Sequence, residues 1–161
     1  MERTLGDSQR GVGESTVSSL MGAPPEWLMT GLLPLLARLA ISAEFVIAAL
    51  GKTLGWSGQA AYMASQGMTI IVPLLAAALV IEAVGSLCLI TGFKARPAAA
   101  IMFVYLGIVS VRLHGFWHMT GNIAGANETH FFKNLGMMGG LLMITVYGPG
   151  RWAVGRSSSS A

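Results

Sequence analysis

The side chains best suited to chemistry lie between His114 and Gly140, in the segment HGFWHMTGNIAGANETHFFKNLGMMGG. This segment contains all three histidines of the chain. His114 and His118 share one face if a helix continues through both, and together with His130 they are weak candidates for metal ligands. A di-iron bundle needs Glu-x-x-His pairs, which the sequence lacks, and a haem would need a histidine on a second span. The sequence therefore implies no metal or haem site.

A second chemistry open to this segment is contact with a quinone or with a partner protein. Phe116 and Trp117 form an aromatic patch, which either belongs to the aromatic belt of a membrane protein or stacks against a quinone ring. In the second case, His114 or Lys133 would hydrogen-bond a quinone oxygen. Asn134 follows Lys133 directly and can bond a neighbouring helix. These five residues, together with Lys52, are predicted to form a quinone or partner contact.

The composition indicates a membrane protein. Of the 161 residues, 53% are hydrophobic and only 11% are charged, whereas a soluble domain averages about 25% charged residues. The net charge of +3 comes from scattered bases, so the sequence predicts no nucleic-acid partner. The single cysteine, Cys88, cannot form an intrachain disulfide.

Hydrophobic runs predict an all-α integral membrane protein, a bundle of four transmembrane helices. Each run approaches the roughly 20 residues that cross a bilayer, although the fourth is short. The connections, including GWSGQAAYMASQG after the first run and the Gly- and Asn-rich stretch before the fourth, are expected to be loops. Residues 1–28 are predicted to be a flexible polar tail and 153–161 a disordered tail. They flank a domain of residues 29–152 with spans at about 31–54, 69–91, 97–117 and 131–147.

The distribution of bases predicts the orientation of these spans. Positive residues favour the cytoplasmic side of a membrane. Lys52 and Lys133 flank one side of the predicted bundle, and the larger group of bases flanks the side of the two tails. We therefore expect a bacterial-type inner membrane protein with both termini in the cytoplasm, on the side of Arg3, Arg10, Lys94, Arg96, Arg151 and Arg156.

Four ionisable residues fall inside the predicted spans, where charges are costly and are usually paired or functional. Arg38 and Glu82 lie roughly 10 and 13 Å from the same side, at about 1.5 Å per residue. Glu44 and Arg112 lie about 10 and 8 Å from the other side by the same rise. Matching depth predicts the ion pairs Arg38–Glu82 and Glu44–Arg112. These pairs either fix helix register or carry protons towards a redox or transport site.

Several short motifs occur in a fixed order from about Leu33 onward. They are Leu-Leu-Ala-Arg-Leu around Arg38, Gly51-Lys52, Val80–Gly85 around Glu82, Leu89–Arg96, His114–Trp117, Phe131–Leu135, Gly139–Leu142 and Gly148–Arg151. In this order and spacing the chain resembles the DoxX family of small four-helix membrane proteins. It departs from many relatives after Arg151, where Trp152-Ala153-Val154 replaces an aromatic-Ser-Leu-Asp step.

The resemblance implies an association with quinone chemistry. Members of the family have been linked to a terminal quinol oxidase, to thiosulfate:quinone reduction and to membrane oxidoreductase complexes. The residues that match its motifs, and on which a site would depend, are Arg38, Lys52, Glu82, His114, Trp117, Lys133 and Asn134.

The function predicted from the sequence is that of a small accessory subunit, close to the quinone, in a quinone-linked redox complex. Such a subunit would not be catalytic on its own, and its partners would be membrane lipid, larger membrane subunits and quinone, the one cofactor implied. Two alternatives remain open. One is a purely structural subunit that packs against a larger assembly. The other is an oligomeric permease for an ion or small molecule that uses Glu44 and Glu82.

Overall fold

Helices form all of the regular secondary structure in residues 24–155, the part of the chain that the computed structural model describes. The tail predictions for residues 1–23 and 156–161 lie outside this range. The first helix begins with a π-helical turn, and a single 3₁₀ turn, Phe116–His118, precedes the last. The helices are α1 (Leu33–Leu54, after the π turn Leu28–Leu32), α2 (Trp56–Ser65), α3 (Ile71–Thr91), α4 (Ala95–Leu113) and α5 (Gly121–Tyr147).

Three helical segments are long and apolar enough to cross a membrane, namely Leu28–Leu54, Ile71–Thr91 and Ala95–His118. The helix α5 is as long as the first of these segments, with 27 residues. It falls outside this group because its first half carries polar and charged side chains: Asn127, Glu128, His130, Lys133 and Asn134. For residues 24–155 the prediction of an all-α protein is therefore confirmed, and three of the four predicted spans correspond to helices long and apolar enough to cross a membrane.

The four long helices pack side by side in antiparallel pairs. The pair α1–α3 and the pair α4–α5 have the most extensive contacts, and α3 packs against α4 between them. The contact between α1 and α5 is sparser, which leaves room between these two helices. Inside the bundle the core consists of fully buried apolar side chains, including Phe45, Leu89, Met102, Leu106 and Leu141.

Two predicted loops are helical. The stretch after α1 forms α2, which lies across one end of the bundle and buries Met63 against it. The stretch before Phe131 is the first third of α5. Glycine costs only about 1 kcal/mol in a helix interior, and the side chain of Asn127 is satisfied there by Ile123 O at 3.0 Å. Composition typical of loops was therefore a weak guide.

The end of α4 corrects a third prediction. The helix ends at Leu113, and a separate 3₁₀ turn carries His118. His114 and His118 therefore do not share a helix face, so the geometry that would have paired them as ligands is wrong.

A tight turn joins α3 to α4 at the tail end of the bundle. Gly92 ends α3 in the left-handed conformation, with φ 79°. A Cβ atom at this position would lie 2.5 Å from both Ala153 Cβ and Arg38 Nη1. Gly92 thus allows the segment after α5 to pack against the turn, and Val154 N donates a hydrogen bond of 2.9 Å to Thr91 O. Residues 153–155 are therefore packed against the bundle, in contrast to the prediction of a disordered tail from residue 153.

Candidate functional site

A cavity of about 550 Å³ lies between the four long helices at the end opposite the tails, where α2 crosses the bundle. Most of its wall is apolar, with Phe45, Leu75 and Met137 among the lining residues. It also receives a small set of polar and charged side chains from every long helix. These are Glu44, Lys52, Gln59, Tyr62, Glu82, Tyr105, Arg112, His114, His130, Lys133 and Asn134.

Glu82 is the most buried charged group of the cavity, with 3% of the residue exposed. Its Oε1 accepts hydrogen bonds from Lys52 Nζ at 2.8 Å and from Tyr105 Oη at 2.6 Å. Its Oε2 is buried and has no hydrogen-bond partner among residues 24–155. A buried acceptor without a partner costs about 1–3 kcal/mol. One oxygen of the carboxylate therefore has unused capacity to accept a hydrogen bond.

The pairing of Glu82 with Lys52 corrects the predicted pair Arg38–Glu82. Arg38 is fully buried, and its side chain extends towards the C-terminal end of α3. Its Nη1 donates to Leu89 O at 2.9 Å and to Ile90 O at 3.3 Å, and its Nη2 donates to Trp152 O at 2.5 Å. The last carbonyls of a helix lack intrahelical partners and carry partial negative charge. Arg38 therefore donates to these carbonyls and not to the carboxylate of Glu82.

Glu44 likewise has a different partner from the one predicted. It forms an ion pair with Lys133 of α5, and not with Arg112. The prediction began the fourth span at Phe131, which placed Lys133 near the surface. Because α5 begins at Gly121, Lys133 lies about 18 Å along the helix at 1.5 Å per residue, level with Glu44. Arg112 lines the cavity and has no ion pair or hydrogen bond within the described range.

Polar side chains continue from the cavity along the interface between α4 and α5. Asn134 Nδ2 donates to Ser110 Oγ at 3.1 Å, and both residues are buried. Nearer the end of the bundle, His114 Nδ1 lies 3.0 Å from Asn127 Oδ1. The amide nitrogen of Asn127 already donates to Ile123 O, so the oxygen faces the ring and His114 Nδ1–H is the donor. A neutral His114 then presents Nε2 as an acceptor.

Of the two other histidines, His130 lies beside His114 and His118 lies elsewhere. The rings of His114 and His130 lie 5.0 Å apart, and both line the cavity, whereas His118 does not. Among residues 24–155 no group of three or more His, Cys, Asp or Glu side chains could hold a metal ion.

Phe116 and Trp117 lie outside the cavity lining, and their predicted contact with a quinone ring stays a prediction. They pack with Phe131 and Phe132 in an aromatic cluster between α4 and α5, with ring centroids 5.6 to 6.2 Å apart. Trp117 is 52% exposed. This position suits the aromatic belt at a membrane interface.

Sequence reasoning missed Tyr105 and the whole of α2. A tyrosine in the middle of an apolar helix needs a hydrogen-bond partner, and this signal could have pointed to an acidic residue on a neighbouring span. Tyr62 of α2 donates to Leu113 O at 2.9 Å, which ties α2 to the end of α4. Partial burial raises the pKa of the Tyr62 phenol, so this donor stays protonated.

Long apolar helices whose charged side chains line a shared cavity are typical of a helical membrane protein. The chain belongs to the DoxX family, whose model matches residues 33–115, slightly more than half of the chain. The matched region runs from the start of α1 to the end of α4 and includes Lys52, Glu82 and Tyr105.

Two relatives match a larger share of the chain than the family model does. The chain is 36% identical over 126 residues to inner membrane protein YphA of Escherichia coli (strain K12), which covers 77% of this chain and 89% of that protein. It is 30% identical over 124 residues to inner membrane protein YqjF of the same organism, covering 76% and 88%. ER-derived vesicles protein ERV29 of Saccharomyces cerevisiae is 27% identical over 75 residues, covering 47% of this chain and 24% of that protein. No solved structure matches the chain significantly.

Proposed function

We propose that this DoxX-family protein crosses an inner membrane four times and binds a quinone in the cavity around Glu82, as a small subunit of a quinone-linked redox complex. The proposal rests most heavily on one observation. A carboxylate that is almost fully buried lines a largely apolar cavity and keeps one oxygen without a partner.

The size and walls of the cavity suit a lipid-soluble ligand. Small-molecule sites typically enclose about 300–1,000 Å³, with apolar walls and a few convergent polar groups, and this cavity measures about 550 Å³. Ile47, Leu74 and Ile108 line it and are also exposed on the outside of the bundle, at 65%, 46% and 59%. The cavity therefore reaches the surface that faces lipid, and a quinone could enter from the hydrocarbon without passing through water.

The polar groups beside Glu82 can bind both redox forms of a quinone. The ammonium group of Lys52 has three N–H donors, of which one is used on Glu82, so a quinone carbonyl can accept from another. A quinol hydroxyl can donate to Oε2 of Glu82 once the carboxylate turns this buried oxygen towards the cavity. The hydrogen bond from Tyr105 to Oε1 holds the carboxylate in place for either form.

The surface of α5 supports a fourth crossing. Asn127 and Asn134 are buried against the other helices, at 9% and 5% exposure, so these amides are turned away from lipid. The outer face carries exposed apolar side chains, including Ile123, Leu142 and Val146. At about 1.5 Å per residue, the 27 residues of α5 span about 40 Å, enough to cross a bilayer of about 30 Å hydrocarbon thickness.

Charge supports an orientation with the tail side in the cytoplasm. At the cavity end, Lys52 and Lys133 form ion pairs and Arg112 forms none among the described residues, and all three bases lie within the long helices. At the other end, Lys94 and Arg96 lie in and directly after the short turn between α3 and α4. Bases in the short connections that flank the spans favour the cytoplasmic side. Relatives that are inner membrane proteins of Escherichia coli agree with an inner membrane location.

The proposal is tested by extracting the protein from its native membrane in a mild detergent and analysing what accompanies it. We expect mass spectrometry to detect larger oxidoreductase subunits, and we expect the lipid extract to contain roughly one quinone per chain. A preparation carrying quinone but no partner would contradict the subunit role and leave the cavity assignment standing. Partner subunits without quinone would favour a purely structural subunit. A homo-oligomer with neither would favour the permease alternative.

A further inference from the structure

We infer that the protein has a second binding site, for a phosphate group, in a cleft at the tail end of the bundle. The cleft has a volume of about 360 Å³ and lies between the α3–α4 turn and the segment that follows α5. It is separate from the quinone cavity, with which it shares no lining residue. Among the described residues its two charged lining residues are Lys94 and Arg96, both basic, and no carboxylate from that part of the chain lines it.

The start of α4 adds partial positive charge to this cleft. No side chain caps the helix, and the N–H groups of Ala95 and Arg96 have no acceptor within residues 24–155. Free N–H groups and the helix dipole make such a terminus a ready site for an anion. Lys94 adopts the left-handed conformation, with φ 49°, which is uncommon for a residue other than glycine. This turn brings the helix start to the wall of the cleft.

A third positive charge lies behind the same wall. The guanidinium of Arg38 is fully buried and contacts the wall at Gly92, where a Cβ atom would lie 2.5 Å from Nη1. The Nε of Arg38 has no hydrogen-bond partner in the part of the chain that the structure describes. No acid within that part neutralises Arg38. An anion in the cleft would therefore offset the charges of Lys94 and Arg96 and would lie on the other side of Gly92 from Arg38.

The position of the cleft indicates where the phosphate comes from. The end of α3, the start of α4 and the end of α5 all meet there, so the cleft lies where membrane helices leave the hydrocarbon. Basic pockets between helices at this level bind the phosphate of anionic lipid headgroups. A free phosphate or phosphate ester has the same chemistry, so the experiment must distinguish the two sources.

The test uses the full-length protein in detergent and native mass spectrometry with phosphatidylglycerol, phosphatidylcholine or inorganic phosphate. We expect phosphatidylglycerol to bind more tightly than phosphatidylcholine, because both carry a phosphate but Lys94 and Arg96 repel the choline ammonium of the second. The double variant Lys94→Asn/Arg96→Gln should bind it roughly 30-fold more weakly, since each basic residue near an anionic lipid contributes about 1 kcal/mol. Asparagine tolerates the left-handed conformation, so the turn should survive.

The matched control is Arg151→Gln, because Arg151 is a nearby base that pairs with Glu26 at 3.5 Å and does not line the cleft. This variant should bind phosphatidylglycerol as the wild type does. Displacement of the lipid by millimolar inorganic phosphate would identify a soluble phosphate as a competent ligand, and the absence of displacement would identify the headgroup. Equal binding of both lipids, or equal binding by the double variant and the wild type, would overturn the inference.

Discussion

Replacing Arg38 with alanine is expected to lower the free energy of unfolding by about 3–5 kcal/mol, because two losses combine. Truncating a large buried side chain leaves a cavity that costs about 2–5 kcal/mol, and Arg38 is fully buried. The change also removes the donors to Leu89 O, Ile90 O and Trp152 O, of which only the bond to Leu89 O is fully buried, and a buried acceptor left without a partner costs about 1–3 kcal/mol. Relief from burying the charge offsets part of this sum. Unfolding in mixed micelles by titration with sodium dodecyl sulfate measures the difference.

The variant Arg38→Met separates hydrogen bonding from packing, because methionine fills much of the same space without a donor. We expect it to remain destabilised and to release the segment after α5, so that trypsin cleaves after Arg151 faster than in the wild type. A variant Arg38→Met as stable and as protected as the wild type would show that the buried charge costs as much as its hydrogen bonds contribute. Arg38 would then not be what holds this segment.

Breaking the pair Lys52–Glu82 is the second change with a large expected effect. The variant Glu82→Leu leaves the ammonium of Lys52 without a partner in a largely apolar cavity, and uncompensated buried charges cost about 3–5 kcal/mol. Adding Lys52→Leu should recover most of that loss, since a buried ion pair is often replaced by apolar residues at little cost. A double-mutant cycle of the two substitutions, followed by the same unfolding titration, measures the coupling.

The exposed pair Glu26–Arg151 is the matched control for this cycle, with side chains 79% and 55% exposed. Exposed pairs contribute about 0–1 kcal/mol, so Glu26→Gln should change the unfolding free energy by less than about 1 kcal/mol. If Glu82→Leu were equally mild, or if the double variant were less stable than either single variant, the pair would not be the buried charge centre described above.

Hydrophobic length was a reliable guide to α1, α3 and α4, because a run of about 20 apolar residues has few alternatives to a membrane helix. It was a poor guide to α2 and to the first third of α5. Both contain glycine and polar residues that are typical of loops, and both are held by tertiary contacts that a single sequence does not display. The hydrogen bond from Tyr62 to Leu113 O is one such contact.

Most of the site residues were predictable, but their pairing was not. Because a charged side chain is costly in hydrocarbon, the sequence alone singles out Glu44 and Glu82, and both line the cavity. Depth alone could not assign their partners, because it ignores the rotation of each helix and the reach of long side chains. Arg38 extends towards its near membrane surface, as long basic side chains do, and so bonds the end of α3 instead of Glu82.

The central claim, that the cavity around Glu82 binds a quinone, is tested most directly by titrating a short-chain quinol into the purified protein by calorimetry. The same titration is carried out on the variants Glu82→Gln and Glu44→Gln, each of which replaces one carboxylate of this cavity by an amide. We predict that Glu82→Gln binds roughly tenfold or more weakly, since a hydrogen bond to a charged group contributes about 1.5–3 kcal/mol. Glu44→Gln should keep wild-type affinity, because its carboxylate is directed to Lys133. Absence of binding by the wild type, or equal loss in both variants, would contradict the account.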